Sequence, residues 1–91
     1  MTFDAVLDGI YASLDAATNF VAPLCRARAS SMRLPISDLW HTVRSAPAYP
    51  ANEPDRVKFI SDKHIVFVAL SGDGMAIMVA AYPNSNPANT Q

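Results

Sequence analysis

Apolar residues recur at three- and four-residue spacing through residues 3–21, which predicts one amphipathic helix at the start of the chain. Thr2 precedes this segment and suits the capping position of a helix. Pro23 either kinks the helix or begins a second one at its first turn. The predicted apolar stripe consists of Phe3, Leu7, Ile10, Leu14, Ala17 and Val21, and Asp4, Asp8, Asp15 and Asn19 lie on the opposite side.

A further short helix is predicted within residues 34–46, with Ser37 as its cap. Its apolar side consists of Ile36, Leu39, Trp40 and Val43. Residues 46–55, APAYPANEPD, contain three prolines in ten positions. Because proline cannot donate a backbone hydrogen bond, this segment is expected to be an extended connector.

From Arg56 onward the apolar period changes to two, which is typical of strands. Asp62-Lys63 and the SGDG stretch at 71–74 suit tight turns between them. The sequence therefore predicts an α+β fold: two to three N-terminal helices followed by a three-stranded antiparallel β-meander. It is expected to be one domain over residues 1–82, with helices in 3–46, the connector at 46–55, the meander at 56–82, and a disordered tail at 83–91.

The stretch from His64 to Tyr82 is apolar on both sides of its turn, whereas a strand that faces water on one side should alternate. Two-residue turns place the larger aliphatic residues on one face, which the helices can cover. Either the helices cover the second face as well, or it meets another molecule. The second interpretation predicts an interface made of Ile60, Ile65, Phe67, Met78, Ala80 and Tyr82.

Composition narrows the expected partners of this 91-residue chain. A net charge of −1 offers no electrostatic footprint for nucleic acid, so nucleic acid is not expected as a partner. No apolar run is long enough to cross a bilayer, and the acidic opening MTFDAVLDG is not expected to act as a secretory signal. The single cysteine, Cys25, excludes an intrachain disulfide and suits a reducing compartment. A cytoplasmic protein is expected.

Candidate chemistry is sparse. His41 and His64 lie far apart in the sequence and provide no metal-ligand spacing, and Asp38 with Ser37 beside His41 fits a helix surface better than a catalytic triad. Cys25 suits a small core residue. The SGDG glycines join two strands and do not lead into a phosphate-binding helix. We therefore expect no enzyme, no cofactor, no metal and no small-molecule substrate.

Two other segments leave alternatives open. Arg26, Arg28 and Arg33 either form a solvated basic face or contribute to binding. Trp40 either packs in the core or anchors an interface.

Two resemblances suggest alternative functions. From Arg56 to Tyr82 the strand–turn–strand pattern resembles the C-terminal sheet of RelE/ParE-type toxins, although that family usually begins with a strand and is commonly basic. The order of three helices and a hairpin resembles a winged helix, although the segment SDLWHTVRSA offers only Arg44 as a basic contact.

The leading hypothesis is a small non-enzymatic protein–protein interaction module. It would dimerise through its sheet or bind a host protein, as an inhibitor or regulator encoded by a phage or another mobile element would do. A RelE/ParE-like toxin domain is the alternative, and a winged-helix DNA-binding regulator is the second alternative.

Overall fold

A computed structural model of the chain describes residues 2–84. The first helix, α1, covers Phe3–Asp15, and Thr2 caps it by accepting a hydrogen bond from the backbone N–H of Ala5 (3.2 Å). The helix predicted to reach residue 21 ends six residues earlier. Ala17 adopts a positive φ of 57°, which ends the helical path. The chain then extends into a short strand, β1, at Phe20–Val21.

Two shorter helices follow, α2 at Pro23–Ser31 and α3 at Ile36–Ser45. Pro23 occupies the first turn of α2, where its missing N–H costs nothing, so it begins a second helix and does not kink the first. The predicted cap at Ser37 is wrong, because Pro35 holds the N-cap position and Ser37 lies inside α3.

The sheet contains β1 and four further strands: β2 at Ala48–Pro50, β3 at Arg56–Ile60, β4 at His64–Leu70 and β5 at Ala76–Pro83. Their spatial order is β1-β5-β4-β3-β2. The α+β class is confirmed, but the three-stranded meander is only part of the sheet. β2 extends it within the proline-rich connector, and β1 adds a parallel pairing with β5.

All three helices contribute to one hydrophobic core on a single face of the sheet, hereafter the core face. Gly9 brings α1 close to β4, since a Cβ added there would lie 2.5 Å from Cδ2 of Leu70. The arrangement is a two-layer packing of helices on a sheet. The buried core consists of Val6, Ile10, Leu14, Val21, Cys25, Ala29, Leu39, Val43, Val57, Phe59, Val66, Val68, Ala76, Met78 and Ala81.

The register of β3 against β4 agrees with the predicted two-residue turn, because Ile60 pairs with Ile65 across it. The second hairpin differs. The N–H of Ser71 bonds the carbonyl of Met75 (2.9 Å), which leaves three residues in the turn and exchanges the faces of Ala76, Ile77 and Met78.

A β-bulge at Val79 then restores the predicted orientation for the rest of β5. Phe67 pairs with Ala80, whereas its neighbour Val68 pairs with Met78, so Val79 is the extra residue. Met78 therefore faces the core, and Ala80 and Tyr82 lie on the opposite face.

The predicted tail begins too early. Pro83 is the last residue of β5, and Asn84 is buried with its side-chain amide donating to the carbonyl of Ser61 (2.8 Å). The remaining part of that prediction, residues 85–91, lies outside the described residues.

Candidate functional site

The candidate site is the sheet face opposite the helices, hereafter the open face. Its side chains lie outside the connected cluster of core residues, although Ile60 and Ala69 are themselves buried. Within residues 2–84, no helix contributes its buried side chains to this face. Strand pairing arranges the face in three rows: Arg56, Ala69, Ile77 and Phe20; Tyr49, Lys58, Phe67 and Ala80; and Ile60, Ile65 and Tyr82.

Most of the predicted interface residues share this face. Ile65, Phe67 and Ala80 are half-buried, Ile60 is buried without joining the hydrophobic core, and Tyr82 is 44% exposed. Met78 was predicted wrongly. It is fully buried among the helices, because the three-residue turn sets its side of β5.

Ile77 and Phe20 belong to the open face and were not predicted there. Ile77 takes the outward position that was predicted for Met78, and Phe20, which is 42% exposed, pairs with it from β1. The continuous apolar pattern of β5 fits either register equally well. Phe20 was assigned to the first helix, and no glycine marks the positive φ at Ala17 that ends that helix.

An aromatic recess lies on the open face where Phe67 and Tyr82 meet. Their rings are 6.3 Å apart and nearly perpendicular, at 84°, which is a favourable edge-to-face contact. The recess has a volume of about 230 Å³, and its lining residues are Glu53, Arg56, Phe67, Val79, Ala80 and Tyr82. It offers an apolar depression bordered by one acid and one base.

Arg56 is the electrostatic feature of this recess. Its Nη1 lies 3.8 Å from Oε2 of Glu53, a distance too long for a hydrogen bond, and its side chain is 38% exposed. Its Nε is buried and has no hydrogen-bond partner among the described residues. A buried donor without an acceptor costs free energy, whereas the guanidinium end of Arg56 stays partly exposed at the rim of the recess.

The strands at the two edges of the sheet are poor templates for strand addition. β1 has two residues, with Pro23 two positions after it, whereas β2 has three residues, follows Pro47 and ends with Pro50. Short strands and prolines prevent an incoming strand from forming a regular ladder. Beside β1, α2 packs against β5. Association is therefore better served by the open face than by either edge.

A second, polar depression lies between α3 and the β3–β4 turn. It has a volume of about 480 Å³ and contains both histidines of the chain. The fold thus brings together two residues that the sequence separates widely. Its lining consists of Asp38, His41, Thr42, Ser45, Ser61, Asp62, Lys63 and His64.

The hydroxyl groups of this polar depression serve the fold. Thr42 Oγ1 donates to the carbonyl of Asp38 (3.1 Å) and lies 3.4 Å from Nδ1 of His64. Ser45 donates to the carbonyl of His41, and Ser61 accepts the backbone N–H groups of the turn. Ser37 is not part of the lining, so the structure does not join it to the histidines. No group of His, Cys, Asp or Glu in residues 2–84 could hold a metal.

Cys25 is buried in the hydrophobic core. Burial raises the pKa of its thiol, and the positive charge of Arg26 opposes this shift only in part. The thiol is therefore protonated at neutral pH and serves as a small core side chain. Trp40 is half-buried and packs against the same core, which places it away from the open face.

Three arginines that the sequence singled out are exposed: Arg26 and Arg28 on α2, and Arg33 just after it. Among the described residues none of them forms a salt bridge, and Arg28 lines a narrow groove beside Ala80 and Tyr82. A basic border therefore adjoins the open face along β5.

Over residues 2–84, no helix has the length and apolar character needed to span a bilayer.

Comparison of the chain with protein-family models, with curated proteins and with solved structures finds no match.

Proposed function

We propose that this protein is a non-enzymatic interaction module that binds another polypeptide through the open face. The observation that carries the proposal is the pair of unequal sheet faces: helices cover one, while Ile65, Phe67 and Ile77 on the other have no helix of residues 2–84 against them. Partly exposed apolar side chains that lie together in this way commonly mark an interface.

The open face also has the composition of an interface centre. Tyr49, Phe67 and Tyr82 provide aromatic surface, and Arg56 provides a cation beside them. Aromatic residues and arginine are enriched at the positions that carry most of the binding free energy. Binding to a host protein, as an inhibitor or regulator encoded by a mobile element would do, fits this small chain of net charge −1.

The remaining surface supports a binding protein over an enzyme. The polar depression between α3 and the β3–β4 turn uses its serine and threonine hydroxyls to hold the backbone of α3 and of that turn. A nucleophile needs a free hydroxyl or thiol next to a base. The exposed side of α3 carries Asp38, His41 and Arg44. This mixture of acidic and basic side chains does not favour DNA phosphates over other ligands.

Site-specific photo-cross-linking tests the proposal. A photoreactive phenylalanine analogue is introduced at Phe67 on the open face, or at Ser37 on the exposed side of α3 as the matched control. In cells of the protein's own source we expect adducts to another polypeptide from position 67 and a background level from position 37. The masses of the adducts distinguish a second copy of this chain from a different protein.

A competing substitution sharpens this experiment. Ile77→Asp places a carboxylate on the open face, where Ile77 is half-buried and outside the hydrophobic core, and should remove the adducts from position 67 while the protein stays folded. Equal adducts from positions 67 and 37, or adducts that survive Ile77→Asp, would reject the open face as the binding surface.

A further inference from the structure

The charge of the open face indicates which kind of polypeptide covers it. Two cations, Arg56 and Lys58, project from β3 on this face, and only Glu53 opposes them at the recess. Arg28 adds a third cation in the groove beside Tyr82. The acidic residues of the first helix, Asp4, Asp8 and Asp15, belong to the layer on the other side of the sheet.

A second copy of the chain does not complement this charge. Two open faces stacked on each other would bring both pairs of Arg56 and Lys58 into one interface of low dielectric, with only two glutamates to oppose them. Like charges placed together across an interface cost binding free energy.

The area of the face gives a second reason. Three strands of five to eight residues, at about 4.8 Å spacing and 3.3 Å rise, project an area of about 320 Å². Each partner in a standard-size interface buries about 800 Å² of accessible surface. A symmetric dimer would therefore need contacts well beyond the face.

The shape of the face indicates a helix. Ala69 and Ala80 form a low strip between the larger side chains of Phe67 and Ile77. A helix of a partner can pack along this strip, just as α1 packs on the opposite face of the sheet. A partner strand is disfavoured because β1 and β2 are short, β2 ends with a proline, and α2 packs against β5 beside β1.

We propose that the open face binds an acidic amphipathic helix of a partner protein, an inference that rests on the proposed function. Apolar side chains of the helix cover Phe67, Ile77 and the alanine strip. Its carboxylates meet Lys58 and the partly exposed guanidinium of Arg56. A helix of about 15 residues matches the length of the face.

Three synthetic 15-residue helical peptides test this inference. They share one stripe of leucine and alanine and carry glutamate, glutamine or lysine at the remaining positions. Binding is measured by calorimetry at low salt, and amide chemical shifts of the protein locate it. We expect the glutamate peptide to bind about tenfold more tightly than the glutamine peptide, with shifts at Phe67, Ile77 and Tyr82. Salt should reduce this difference, and the lysine peptide should not bind.

Charge-reversal variants provide the control. Lys58→Glu should weaken binding of the glutamate peptide about tenfold and allow the lysine peptide to bind. Arg44→Glu makes the same change of charge on α3, away from the open face, and should change neither affinity. Thermal unfolding of both variants verifies that they are folded, and Lys58→Gln serves as a milder second variant.

The outcomes separate the two proposals. If all three peptides bind the open face equally, or if the protein sediments as a dimer that Phe67→Asp dissociates, the acidic helix is the wrong partner and the interaction face stands. If no peptide shifts any amide of the open face and the protein sediments as a monomer, both proposals fail.

Discussion

The core face and the open face are both apolar, but they differ in what surrounds them. Val57, Val66 and Val68 on the core face are fully buried under the helices, whereas Ile65 and Phe67 on the open face remain half-buried. The same two strands, β3 and β4, supply both sets. Apolar composition therefore does not identify the protein core in this chain, and the position of the helices decides which face is covered.

The largest expected effect comes from placing a carboxylate on each face. Met78→Asp buries a charge at a position with no exposure, which should cost more than about 4 kcal/mol and unfold a domain of this size. Phe67→Asp on the open face should cost about 1 kcal/mol and leave the protein folded. Urea unfolding followed by circular dichroism measures both. Equal losses of stability would mean that the open face is also part of the core.

The bulge in β5 allows a second comparison. Deleting Val79 converts the bulge into a regular ladder in which Met78 still faces the core and Ala80 still faces outward, so we expect a loss of only about 1–2 kcal/mol. Deleting Val66 from the regular strand β4 inverts the faces of the residues before it and should prevent folding. The amount of folded protein, and urea unfolding where it folds, compares the two deletions.

These registers mark the limit of what the sequence predicts. The alternation in RVKFI and the two-residue turn at Asp62-Lys63 allow one pairing of β3 with β4, and it was predicted correctly. The segment SGDGM can close its hairpin with two or three residues in the turn, and the alternatives differ only in side-chain packing. Met78 and Ile77 were exchanged for that reason.

Short strands escape prediction for another reason. β1 and β2 have two and three residues, too few to show an alternating pattern, and their hydrogen bonds come from partners distant in the chain. Phe20 thus joins the candidate site only through tertiary structure. The composition shows an excess of apolar residues, which suggested an interface. It does not show which residues form that interface.

An intermediate effect should come from the hydrogen bond that ties the helical layer to β5. The buried Oγ of Ser13 accepts the backbone N–H of Ala76 (2.9 Å), and Ser13→Ala leaves that donor buried without an acceptor. We expect a loss of about 1–3 kcal/mol and faster hydrogen exchange at the Ala76 amide.

The matched control is Thr18→Val, which removes the neighbouring hydroxyl but leaves the Ser13–Ala76 bond in place. It should cost less than about 1 kcal/mol. If the Ala76 amide exchanges its hydrogen no faster in Ser13→Ala than in Thr18→Val, the Ser13–Ala76 bond does not hold the start of β5.

The smallest expected effect concerns Cys25. Burial raises the pKa of its thiol in the folded protein, so the unfolded thiol loses its proton first as the pH rises. As the pH rises from the ordinary pKa of a thiol to the raised pKa of the folded protein, the free energy of unfolding should therefore decrease slightly. Below that pH range this thiol should not affect it. Cys25→Ala should abolish the part of the alkaline decrease that belongs to the thiol.

Thiol labelling compares the faces directly. At neutral pH Cys25 should react slowly with a disulfide reagent, and a cysteine introduced as Ala80→Cys in a Cys25→Ala background should react many times faster, because Ala80 lies on the open face. Similar rates at the two positions would show that helices do not protect the core face better than the open face.

The short edge strands of the sheet have a consequence for how the protein behaves when it is concentrated. Amyloid-type fibres grow by adding strands to a free edge, and here β1 and β2 are two and three residues long, with Pro23 soon after β1 and Pro50 within β2. Protein that precipitates at high concentration should therefore give aggregates that do not bind amyloid dyes.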